Sequence, residues 1–129
     1  MAAGASPLLI LWFCATTLIG TGMLIATNLS QIVQAARAST QLVPALSTLF
    51  SAGNMIGRLV SMAGSDAIVR AGYSRCWFVA AITATMGASL AGMLGAAVAA
   101  ADSAGQQLLF VLSSSASGLA FGAIWPHMV

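Results

Sequence analysis

The chain has 129 residues, 60% hydrophobic and 5% charged, with a formal net charge of +2 and a mean hydropathy of +0.99. Soluble domains carry about 25% charged residues, so an ordinary water-facing surface is excluded and the lipid bilayer is the expected surrounding. The charges, Arg37, Arg58, Asp66, Arg70, Arg75 and Asp102, are too scattered to track a phosphate backbone, which excludes nucleic acid as a partner.

Residues 1–36, 38–57, 76–101 and 103–129 contain no charged side chain, and each interval reaches the roughly 20 residues a helix needs to cross a bilayer. Only helices and closed barrels satisfy their backbone hydrogen bonds in lipid, and these Ala, Leu, Gly and Met runs do not alternate as barrel strands do. The expected fold is therefore all-α and integral to the membrane, one multi-pass segment over 1–129 with four transmembrane helices. The first helix, about 7–30, opens with Ser6 as N-cap and Pro7 in the first turn. Residues 8–19 lack the basic start of a signal peptide, and the apolar run continues to Ala26. Asn28-Leu29-Ser30 is formally a glycosylation sequon, but it lies in the end of a membrane helix and is expected to stay empty.

Pro44 opens the second helix, about 44–63. A polar loop follows at about 64–75, then a third helix at about 76–99 and a fourth at about 105–126, capped by Asp102 or Ser103. Arg58, Arg70 and Arg75 gather around the loop, which puts it and both chain ends on the cytoplasmic side. Trp12, Trp77 and Trp125 fall on that side, as interfacial anchors do. Cys14 and Cys76 lie in or beside apolar stretches and read as small buried hydrophobes.

Polar residues inside apolar helices are the candidate solute contacts: Asn28, Gln31 and Asn54, with Gln34 behind them, because an amide hydrogen-bonds a solute without the cost of burying a charge. Arg58 is the most costly residue to place, and it is expected to pair with Asp66 or to reach the inner interface. Gly53/Gly57 and Gly118/Gly122 are GxxxG pairs of the kind that bring helices into backbone contact. His127 has no carboxylate in its own segment and reads as a terminal interfacial residue. No metal-ligand cluster, phosphate loop or paired carboxylates are present. Neither an enzyme nor a cofactor is expected.

The most specific pattern is the ordered set Gly57, Arg58, Gly64, Asp66, Arg70, Gly72 and Arg75. It resembles the cytoplasmic loop signature of the major facilitator superfamily. The wording around it is similar to the nodulin-like branch: Gly20-Thr21-Gly22 followed by Thr27-Asn28-Leu29-Ser30-Gln31-Ile32 resembles that branch's seventh helix. Leu46-Ser47 through Asn54 to Gly57-Arg58 resembles the eighth, and Gly118 through Trp125-Pro126 the tenth. What the resemblance implies is a fragment of the C-terminal half of a twelve-helix secondary transporter, which moves a small solute by alternating access. The remaining helices of the full transporter would then be partners, and the fragment would not transport alone. Ser65, immediately before Asp66, and the complete lack of Lys depart from the family pattern. A self-contained four-helix scaffold or assembly subunit is the alternative.

Overall fold

A computed structural model describes residues 5–99 and 103–127. Its elements are α1 (Ala5–Ala35), a 3₁₀ turn (Thr40–Leu42), α2 (Val43–Arg70), α3 (Arg75–Val98), α4 (Ala104–Ile124) and a second 3₁₀ turn (Trp125–His127). No strand occurs among the described residues. Leu9–Ala35, Arg75–Val98 and Ala104–His127 are long and apolar enough to cross a membrane. α2 is not among them; its more apolar part, residues 43–60, contains Asn54 and Arg58.

The ends of the helices follow from side-chain chemistry. Pro44 stands in the first turn of α2, where its missing N–H costs nothing. Ser74 caps α3 by accepting from Cys76 N, and Ser103 caps α4 by accepting from Gln106 N at 3.1 Å. Asp102 lies outside the described residues. α1 ends in a Schellman turn: Ala38 N donates to Val33 O and Arg37 N to Gln34 O, with Arg37 left-handed at φ 54°. α2 ends the same way, with Tyr73 N donating to Ile68 O and Gly72 at φ 85°.

Two boundaries differ from the sequence reading. α1 continues past 30 to Ala35, and α2 continues past 63 to Arg70, so the polar loop expected over 64–75 shrinks to residues 71–74. The buried face of α2 explains its length: Gly53, Gly57, Ser61 and Ser65 recur every four residues, and all are buried. Gly64 meets the Phe78 ring, where a methyl group would lie 2.9 Å from its Cε2. Packing holds in helix a Gly-Ser-Asp run whose local preference is for a turn.

α4 is the centre of the assembly, packing chiefly on α2 and α3. Ala120, Phe121, Gly122, Ala123 and Ile124 are consecutive and all buried, so α4 is covered on every side over that stretch. The α2–α4 seam is reciprocal. A Cβ on Gly118 would strike Phe50 O and one on Gly122 would strike Asn54 O, while Cβ atoms on Gly53 and Gly57 would strike the α4 backbone at Ser115 and Leu119. Ser114 Oγ adds a hydrogen bond to Leu46 O at 2.9 Å on the same seam. α3 meets α4 through Ser89 Oγ and Ser117 Oγ, 2.9 Å apart, and through Gly92, whose missing side chain leaves room for Ser113 Oγ.

Gln106 ties one end of the bundle. Its fully buried amide nitrogen donates to Ala36 O at 2.9 Å and to Ala96 O at 3.1 Å. Both carbonyls sit at helix C-terminal ends; Ala96 O also accepts from Ala99 N at 3.3 Å, whereas Gln106 is the side-chain partner of Ala36 O. At the other end, His127 meets α2 and α3 through Ser61 and Phe78. Successive helices therefore run in opposite directions.

Candidate functional site

Ser47, Ser51, Asn54 and Arg58 are spaced by four, three and four residues, which puts them on one face of α2. Ser47, Ser51 and Asn54 line an open cleft of about 230 Å³, together with Ala26 and Leu29 of α1 and with Phe50 and Phe121. The two rings stack with centroids 5.9 Å apart. The cavity lies partway along the bundle, where Gly22, near the centre of the apolar stretch Leu9–Ala35, faces the Phe121 ring.

Its polar groups are uncommitted. In these helices Thr16, Thr27, Thr48 and Thr83 each return their hydroxyl to the carbonyl four residues earlier, as hydroxyls in an apolar surrounding commonly do. Ser47 and Ser51 make no hydrogen bond among the described residues, and Asn54 Oδ1 is buried without a donor. Such an atom costs about 1–3 kcal/mol when left unpaired. A half-turn of the amide exchanges its oxygen and nitrogen, so Asn54 can present either to the cavity.

Arg58 lies beyond the cavity with its guanidinium 5.6 Å from the centre of the Trp125 ring, a cation–π arrangement. Its expected pairing with Asp66 is not what the structure has. Asp66 is 3.8 Å from Arg75, and both side chains are about two-thirds exposed, so the pair contributes at most about 1 kcal/mol. Arg70 sits in the last turn of α2, where a cation favours the helix dipole.

The other proposed solute contacts do not join Asn54. Asn28 is half-buried and donates to Leu24 O at 3.0 Å and to Thr27 Oγ1 at 2.9 Å, within its own helix. Gln31 is exposed, and Gln34 donates to Ser30 Oγ at 3.3 Å. Ser47 and Ser51 were not among the expected contacts, although their spacing to Asn54 and Arg58 is visible in the sequence.

A second polar cluster closes the other end. Ser61 Oγ lies 2.6 Å from Ala123 O and 2.9 Å from His127 Nε2. The hydroxyl has one proton and the carbonyl can only accept, so Ser61 donates to Ala123 O and His127 Nε2–H donates to Ser61. Ser65, Asp66 and Arg75 join them around a cavity of about 280 Å³. A further cavity, about 590 Å³, lies between α1 and α3 and is walled by apolar residues, Cys14, Cys76 and Thr83. The Thr83 hydroxyl is already bonded to Val79 O, so this groove provides room but little recognition. Among the described residues, no group of three or more His, Cys, Asp or Glu is placed to hold a metal.

No family model, curated protein or solved structure matches the chain.

Proposed function

We propose that this chain is part of a multi-pass membrane transporter of the major facilitator type, contributing four crossings and one wall of the path along which a small solute moves. The observation that carries the reading is the cavity at Ser47, Ser51 and Asn54. A polar face on an open cleft of an apolar helical bundle is unfavourable against lipid and marks a water-filled path or a partner helix. Here its groups make no hydrogen bonds to their own helices.

α2 belongs to the membrane in this reading despite its charges. It is about 42 Å long at the usual helical rise, and Gly53 and Gly57 keep it against α4, so the two share one depth. Arg58 then lies toward the end at which Trp125, Trp77 and Arg75 gather, with its charge on an aromatic face. The ordered Gly57, Arg58, Gly64, Asp66, Arg70, Gly72 and Arg75 pattern supplies the likeness to the superfamily. Alternating access would come from rocking this group of helices against others.

Sequencing the transcript across the locus, together with the mass of the native membrane protein, tests the reading. About eight further apolar spans in frame are expected for a twelve-helix transporter. A native protein of these four helices alone would overturn it in favour of a scaffold.

A further inference from the structure

Resting on the transport reading above, we infer that the α2 cavity takes a small uncharged solute rich in hydroxyl or amide N–H groups, of the size and chemistry of a short polyol. None of the lining residues is ionisable: Ala26, Leu29, Ser47, Phe50, Ser51, Asn54 and Phe121. An anion would find no cation on the wall, since Arg58 is held over the Trp125 ring outside it. A cation would find no carboxylate, since Asp66 lies at the far cluster beside Arg75.

The groups that are present match an uncharged, hydroxylated partner. Two serine hydroxyls and a primary amide can each donate and accept, and none is engaged by another described residue. Spaced by four and three residues, they form a ladder along one helix face, suited to successive hydroxyls on a carbon chain. Phe50 and Phe121 also line it, a stacked apolar surface for the C–H side of the same molecule. The volume of about 230 Å³ is close to the liquid share of about eight waters, which accommodates a four- or five-carbon polyol with a little water beside it.

The test is cysteine accessibility in the full chain, reconstituted in vesicles on a Cys14→Ser, Cys76→Ser background. Ser51→Cys and, separately, Ser47→Cys are treated with a membrane-impermeant methanethiosulfonate, alone and with erythritol or malonate. Both serines are exposed and bond to nothing among the described residues, so either exchange leaves the packing intact. Leu94→Cys, on the outer face of α3, is the unlabelled control, and Ser74→Cys in the α2–α3 turn is the control whose rate no solute changes.

The expected result is labelling at 51 and 47, slowed by erythritol and not by malonate. The slowing should reach about threefold when erythritol stands at twice its dissociation constant. Protection by malonate, or by neither solute, would overturn the uncharged-solute assignment and leave the water-filled path standing. No labelling at either position, with the Ser74→Cys control reactive, would overturn the path itself.

Discussion

Gly122 faces the backbone carbonyl oxygen of Asn54 so closely that a methyl group has nowhere to go. The residue whose side chain lines the cavity is thus the one whose backbone touches α4. Cavity and seam are two sides of a single turn of α2.

Gly122→Ala is therefore expected to part the two helices, at a cost of about 1–3 kcal/mol, the range for overpacking a tight core. Gly118→Ala, against Phe50 O, should behave alike. A methyl group added at Gly20 would meet nothing within 4 Å, so Gly20→Ala should be neutral or stabilise by up to about 1 kcal/mol. Equilibrium unfolding of the three variants in detergent separates the effects.

Gln106→Leu keeps the size of the side chain and removes both donors from Ala36 O and Ala96 O. Ala36 O then loses its side-chain donor, at a cost of about 1–3 kcal/mol, while Ala96 O keeps the weaker bond from Ala99 N at 3.3 Å. Hydrogen exchange should rise at the ends of α1 and α3 together, and unchanged protection at either end would contradict the double tether.

Arg37 occupies the left-handed region, which costs an L-residue about 1–2 kcal/mol, without glycine's freedom. Arg37→Gly should raise stability by about 1 kcal/mol. Gly72→Ala, at φ 85°, should lower it by a similar amount. Thermal unfolding of the two variants gives opposite signs if the turns are as described.

Ser61→Ala and His127→Phe should show coupling in a double-mutant cycle, because Nε2–H and the hydroxyl bond to one another at 2.9 Å. A coupling of about 0.5–1.5 kcal/mol is expected for such a hydrogen bond. Asp66→Asn should change stability by less than about 1 kcal/mol, its ion pair being exposed.

Much of the helical layout is legible in the sequence because charge-free length and capping residues are local properties. Ser103 and Pro44 announce the starts of their helices. The end of α2 is not legible, since Gly64-Ser65-Asp66 has the chemistry of a turn, and only the approach of Phe78 and α4 keeps it helical. Gln106 is hidden for the same reason: its two acceptors lie on other helices, seventy and ten residues away in the chain. Asn54 stands out in the sequence as a membrane amide. That Asn28 is occupied with its own helix, while Ser47 and Ser51 are not, depends on side-chain directions that spacing alone does not encode.

The helix on which both α2 and α3 chiefly pack is also the last of the four to be synthesised. Until α4 arrives, Gly53 and Gly57 have no backbone to meet, and α1, α2 and α3 have few contacts with one another. The packing of these four helices must wait for α4: without it the other three touch one another little, and the seam face of α2 at Gly53 and Gly57 stays open. Loss of α4 should therefore release α2 and α3 together rather than one at a time.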